Sequence, residues 1–148
     1  MTTTTNDAGP ARAATPWHLW VVGLLSLVWN GFGATDYTMT QLQGDAWLRQ
    51  MGATEAQIAA MASFPSWMHG VWAIGVWGGL IGSLLLLLRR RWAFHAFVLS
   101  SAGAIISLAY QVVNPIAGMD LMFPLIIVAI ALFLIWYAWT MTKRGVLR

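Results

Sequence analysis

The chain has 148 residues, of which 59% are hydrophobic and only 9% charged, and its formal net charge is +3. A soluble domain carries about 25% charged residues, so this composition indicates a chain that lies in a lipid bilayer. The absence of cysteine excludes disulfides, thiol catalysis and cysteine-ligated metals. The few basic residues flank apolar segments, and nothing in the sequence indicates binding to nucleic acid.

The N-terminal third begins with a polar tail and continues into an apolar run. Residues 1–16 are small and polar and contain proline and glycine, which predicts a disordered tail. Residues 17–37 are the first predicted span, because a helix crosses the ~30 Å hydrocarbon core in ~20 residues. Strongly polar side chains first enter at the end of this run, in the stretch Trp29-Asn30-Gly31-Phe32-Gly33-Ala34-Thr35-Asp36-Tyr37.

Residues 38–64 are too polar to span a membrane. Gly44 and Gly52 divide this segment, and Thr54 with Gln57 has the spacing of a capping box that starts a helix. We therefore predict one or two short amphipathic helices that lie over the bundle on its periplasmic side. A partly ordered connector is the alternative.

Three further spans are predicted at residues 66–88, 92–113 and about 119–142, followed by a short tail at residues 143–148. The predicted fold class is all-α: an integral membrane four-helix bundle with periplasmic helices between the first two spans. The second span carries glycines four residues apart, a spacing that allows close helix packing. The packing glycines are Gly75, Gly78, Gly79 and Gly82.

The basic residues indicate the orientation of the chain. Seven of the eight lysines and arginines lie in the two tails or in the connection at residues 89–91, and only Arg49 lies in the opposite connections. Cytoplasmic loops carry an excess of such residues, so the basic side is predicted to be cytoplasmic. Four spans place both termini on that side.

Polar side chains of the four spans fall near one level, close to the predicted periplasmic surface. At ~1.5 Å per residue, Asp36 lies about 28 Å along the first span and Asn30 about 9 Å deeper. Such groups should point into the bundle, because an unsatisfied polar group in hydrocarbon is costly. We predict an outer polar pocket, a binding or proton-sensitive site, lined by Asn30, Asp36, His69, Tyr110 and Gln111. The alternative is that these side chains only bond across helices and hold them together.

No catalytic residue, cofactor or metal site is predicted. The three histidines are 51 and 26 residues apart and form no local metal-binding pattern. A haem would need axial ligands at matched depth, and His69 and His95 lie near opposite ends of their spans. Phosphate loops, nucleophile elbows and dinucleotide fingerprints are absent from the sequence. Asp36 and His69 alone, without a nucleophile or metal, do not predict an enzyme.

Four stretches of the sequence carry a resemblance: Pro16-Trp17-His18-Leu19-Trp20, residues 29–41, Phe64-Pro65, and Arg89-Arg90-Arg91-Trp92. Together they resemble a group of small four-span membrane proteins of proteobacteria that often carry the label "sugar transporter". The resemblance covers nearly the whole chain beyond the tail. It implies four spans and an inner-membrane location, and it supplies no catalytic or binding residues.

Two functions fit these predictions. The first is transport of a small, sugar-like solute through the outer pocket, with the protein acting as a homo-oligomer. The second is a non-catalytic accessory or assembly subunit that docks onto a larger membrane complex through its glycine face. Transport requires a water path through the bundle, whereas an accessory subunit requires a tight core and an exposed face of small residues.

Overall fold

The computed structural model of the protein describes residues 14–115 and 119–148. Most of the predicted N-terminal tail (residues 1–13) and part of the predicted turn between the last two spans (residues 116–118) lie outside the described residues. The described chain is all-helical, which confirms the predicted class and the helical bundle. Its helices are α1 (Trp17–Gln43), α2 (Asp45–Gln50), α3 (Glu55–Ala62), α4 (Ser66–Leu87), α5 (Trp92–Val113) and α6 (Met122–Lys143).

Three helices of the described residues are long and apolar enough to cross a membrane, and they fit a multi-pass membrane protein. They are α4, α5 and α6, each of 22 residues, with mean hydropathies of 1.9, 1.8 and 2.3. Helix α1 is longer, at 27 residues, but its second half carries Asn30, Asp36 and Gln41 and is less apolar.

Helix α1 continues to Gln43, beyond the predicted boundary at residue 37. The hydroxyls of Thr35 and Thr38 donate back to the carbonyls of Gly31 (2.9 Å) and Ala34 (2.7 Å), so the polar threonines are satisfied within the helix. The helix ends at Gly44, whose φ of 56° is strained for other residues. The polar segment after residue 37 therefore first lengthens α1 and only then forms separate helices.

Helices α2 and α3, here called the cap, follow Gly44. The expected capping box is present: the Thr54 hydroxyl accepts from the Gln57 backbone N–H (3.3 Å), and the Gln57 side chain accepts from the Thr54 N–H (2.8 Å). Gly52, with a φ of 86°, allows the turn between the two helices. Glycine and capping chemistry thus determine where each cap helix begins and ends.

The long helices pack side by side, with α4 between α1 and α5, and α6 on the other side of α5. At the end that contains the Arg89–Arg91 turn, here called the basic end, all four long helices meet in one core. Its largest buried side chains include Leu19, Leu86, Phe97, Leu134 and Met141. At the opposite end, here called the cap end, side chains of α1, α4, α5 and α6 surround a cavity.

The C-terminal residues complete the core at the basic end. Val146 and Leu147 are each only 4% exposed. Arg148 exchanges backbone hydrogen bonds with the turn before α5: its N–H donates to the Arg89 carbonyl, and its carbonyl accepts from the Arg91 N–H, both at 2.8 Å. The segment expected to be a tail therefore packs against the bundle, because two apolar side chains follow the turn at Gly145.

Candidate functional site

A cavity of about 560 Å³ lies between the four long helices on the side of the cap. Side chains from α1, α3, α4, α5 and α6 line it. Phe97 and Leu134 belong both to the cavity lining and to the core of the basic end, so this core closes the cavity there. Gln57 and Met61 of α3 lie at the other end. No residue of the lining lies beyond this core, so the cavity ends there and does not cross the bundle.

Asn30 lines the cavity, but its amide N–H groups are used between α1 and α4. Its Nδ2 donates to the Ser26 carbonyl (2.9 Å) and to the Ser83 hydroxyl (3.2 Å). The Ser26 and Ser83 hydroxyls are buried and 2.6 Å apart, and the Ser83 hydroxyl also donates to the Gly79 carbonyl at 2.8 Å. Because the Ser83 proton is then used, the Ser26 hydroxyl is the donor of the pair. This network stabilises the α1–α4 interface.

Asp36 and His69 line the same cavity but have separate partners. An Asp36 carboxylate oxygen accepts from the Trp47 indole N–H at 2.9 Å, which ties α1 to the cap. The Nδ1 atom of His69 lies 3.3 Å from the Gln41 amide nitrogen. The two residues are therefore not hydrogen-bonded to each other, although both line the cavity.

Gln111 lines the cavity, whereas its neighbour Tyr110 does not. The Tyr110 ring packs edge-on against Phe64 and Trp67, with ring centroids 5.4 and 5.7 Å away. Adjacent helical residues point about 100° apart, and here Gln111 faces the cavity while the Tyr110 ring faces Phe64 and Trp67. The Gln111 amide donates to the Ser107 carbonyl at 3.2 Å, one turn earlier. Four of the five predicted pocket residues thus share the cavity.

Much of the cavity wall could not be recognised from the sequence. Helix α6 contributes apolar side chains to the wall, and their sequence pattern would fit lipid-facing positions equally well. They include Phe123, Ile127, Ile130 and Leu134. The Phe123 ring lies 6.3 Å from that of Trp29, where α6 and α1 approach each other. Nothing in the sequence indicated that Trp47 would donate a hydrogen bond to Asp36, apart from its place in a predicted amphipathic segment.

The charged side chains of the cap are paired with each other. Arg49 donates to both carboxylate oxygens of Glu55 (2.8 and 3.1 Å) and lies 4.0 Å from Asp45. The hydrogen-bonded Arg49 guanidinium lowers the pKa of Glu55, and the Glu55 carboxylate raises the pKa of Arg49. Both side chains are exposed to solvent, so this ion pair contributes little to the stability of the cap.

The glycines predicted to pack helices are covered by other helices of the same chain. A side chain at Gly75 or Gly78 would contact α5, and one at Gly82 would overlap the Phe97 ring, 2.7 Å away. One at Gly79 would overlap the amide of Asn30. The Ser100 hydroxyl donates to the Gly75 carbonyl at 2.5 Å, which shows how closely α4 and α5 approach.

The lining can bind a molecule more readily than it can catalyse a reaction. Its titratable side chains, in the part of the chain that the structure describes, are Asp36, His69 and Asp120, and no two of them are hydrogen-bonded together. Residues 14–115 and 119–148 contain no group of three histidines or carboxylates that could hold a metal ion. No protein family, curated protein or solved structure matches the chain. The cavity itself is therefore the basis for a functional interpretation.

Proposed function

We propose that the protein is an inner-membrane protein with four spans, in which α1 is the fourth and both termini are cytoplasmic. At 27 residues, α1 is about 40 Å long, which exceeds the ~30 Å hydrocarbon core. It lies alongside α4 and exposes Val21, Leu24, Leu25 and Val28, as a lipid-facing helix would. The positive-inside rule assigns the basic end to the cytoplasm and the cap to the periplasm. The proposal includes membership of the small four-span proteobacterial group.

The function that the cavity supports best is binding and transport of a small solute. Its volume of about 560 Å³ falls within the roughly 300–1,000 Å³ of ligand pockets. In the proposed orientation the cap-side end of the cavity faces the periplasm, and the packed core lies between the cavity and the cytoplasm. A solute site reached from the periplasmic side is what the outward-facing state of a transporter that works by alternating access requires.

The accessory-subunit alternative is supported less well, because the glycine face that suggested it is not exposed. That hypothesis needed an exposed face of small residues, and Gly75, Gly78, Gly79 and Gly82 are covered by α5 and α1 of the same chain.

Cysteine labelling from each side of the membrane tests the proposal, because the natural chain contains no cysteine. Ser107 lines the cavity, whereas Ala109, two residues away on α5, is exposed on the outer surface of the helix. Ser107→Cys and Ala109→Cys would be treated with a membrane-impermeant maleimide in right-side-out and in inverted vesicles. Transport predicts that Ser107→Cys reacts from both sides, faster from the periplasmic side, and that the lipid-facing Ala109→Cys does not react.

Two results would contradict parts of this proposal. Reaction of Ser107→Cys from the periplasmic side alone would indicate a binding protein that does not transport. Failure to react from either side would show that the cavity holds no water, and the solute site would then have to be abandoned.

A further inference from the structure

The cavity lining carries two carboxylates, and its one basic side chain among the described residues is His69, whose Nδ1 atom lies beside the Gln41 amide. Asp36 and Asp120 line it, and no lysine or arginine of residues 14–115 and 119–148 does. Arg49 is the only arginine or lysine of the sequence between Arg12 and Arg89, and it is paired with Glu55 and Asp45. Asp36 is partly buried, and its described partner is the neutral Trp47 indole. A carboxylate in such surroundings favours a nearby cation.

The polar groups of the lining are largely used within the protein. The Ser100 hydroxyl donates to Gly75 and the Gln111 amide to Ser107, while the Asn30 amide donates within the α1–α4 network. The Gln57 side-chain oxygen accepts from the cap backbone. A bound sugar would bury many hydroxyls, and each of them would need a partner. The atoms that already make these hydrogen bonds are not free to bind a sugar.

Aromatic side chains form much of the wall of the cavity that Asp36 also lines. Trp29, Phe32, Phe64, Trp72 and Phe123 all line the cavity. The Trp72 ring is fixed by an edge-on contact with Tyr37, at a centroid distance of 5.0 Å. The faces of aromatic rings attract organic cations, and they do so more strongly where water is excluded.

We infer that the solute is a hydrophobic organic cation whose charge lies beside Asp36 and whose apolar groups lie against the aromatic rings and the α6 wall. This inference rests on the proposed function of the cavity as a solute site and specifies the chemistry of that solute. The carboxylate supplies the charge complement, the rings supply the surface, and the apolar floor of Phe97, Ile130 and Leu134 accepts the hydrophobic part.

Equilibrium dialysis with tetraphenylphosphonium tests the inference. The full-length protein would be placed in nanodiscs of neutral phosphatidylcholine, with empty nanodiscs as the blank. Tetraphenylborate has the same shape and the opposite charge and is the matched ligand control. We expect saturable binding of the phosphonium at one site and no saturable binding of the borate.

Two carboxylate variants compare a lining position with one outside the cavity. Asp36→Asn keeps an oxygen that can accept from Trp47 and removes the charge, and it should weaken phosphonium binding roughly tenfold or more. Asp45→Asn removes the same charge from a cap residue that does not line the cavity, and it should bind as the natural protein does. Trp47→Phe removes the cap contact but keeps the Asp36 charge, and it should retain binding, which separates charge from cap structure.

The inference is overturned if Asp36→Asn binds the phosphonium as well as the natural protein, if the borate binds equally well, or if the phosphonium shows no saturable binding. The cysteine labelling of Ser107→Cys distinguishes these failures from failure of the proposed function. A reactive Ser107→Cys combined with any of these results would leave a solute site for a ligand of another class.

Discussion

Helices α4 and α5 approach each other closely at Gly103 of α5, where alanine should destabilise the protein. A Cβ atom there would lie 2.8 Å from the Val71 carbonyl oxygen, 2.9 Å from the Gly75 nitrogen and 3.0 Å from the Gly75 Cα. Ordinary contact begins at 3.4 Å, so α4 and α5 would have to separate by about 0.4–0.6 Å. All three atoms belong to the backbone, and no side-chain rotation can relieve the overlap.

Two opposing effects determine how much Gly103→Ala changes the free energy of unfolding. Overpacking of this kind costs about 1–3 kcal/mol, and replacing glycine by alanine in a helix recovers up to about 1 kcal/mol. Separation of the helices would also lengthen the 2.5 Å hydrogen bond from Ser100 to the Gly75 carbonyl. We therefore expect Gly103→Ala to lower the free energy of unfolding by about 1–2 kcal/mol.

Unfolding in mixed micelles by titration with dodecyl sulfate, followed by tryptophan fluorescence, would measure this change. Gly70→Ala in α4 is the matched control, because a Cβ atom there has no neighbour within 4 Å. The control should be as stable as the natural protein or slightly more so. If Gly103→Ala were as stable as Gly70→Ala, the close α4–α5 contact would be refuted.

Three further changes test the polar contacts. Ser83→Ala removes the hydrogen-bond partner of the α1 side chains and should lower the free energy of unfolding by about 1 kcal/mol; an unchanged dodecyl sulfate midpoint would contradict the network. Trp47→Phe removes the indole N–H that donates to Asp36 and should speed amide exchange in the cap but not in α5. If the cap amides exchanged at the same rate in this variant and in the natural protein, the stabilising role of the Trp47–Asp36 hydrogen bond would be contradicted. Because Arg49 lowers the pKa of Glu55 below its ordinary 4.5, the pair stabilises the cap above that pH and stops doing so as pH falls through the lowered value. Exchange in the cap should therefore be faster in Glu55→Gln than in the natural protein at neutral pH and should converge well below pH 4.5; a difference that persists would contradict the pairing.

The sequence predicted the helical elements better than their ends. Long apolar runs and the glycines at positions 44 and 52 determined where helices lie, and the Thr54–Gln57 spacing correctly indicated the capping box. Helix α1 extends to Gln43, beyond the span predicted for residues 17–37, and the hydroxyls of Thr35 and Thr38 are satisfied within it. The burial of Val146 and Leu147 was missed, since two apolar residues at a chain end carry no periodic signal.

Depth could be predicted for the candidate site, but rotation about the helix axes could not. Counting residues along each span placed Asn30, Asp36, His69 and Gln111 at one level, and all four line one cavity in the structure. The partners of Asp36 and His69 depend on where Trp47 and Gln41 lie in three dimensions, which spacing does not specify. The α6 wall of the cavity could not be predicted, because its lining side chains are apolar, as lipid-facing ones would be.

If the space between α1, α4, α5 and α6 is a ligand site, it should bind an organic cation in the crystal. A crystal structure of the protein soaked with tetraphenylarsonium, with diffraction measured at the arsenic absorption edge, would locate this cation. We predict one arsenic peak inside the cavity, beside the Asp36 carboxylate and within reach of the Trp29 and Trp72 rings. A cavity filled by side chains, or arsenic peaks confined to the outer surface of the bundle, would contradict the claim.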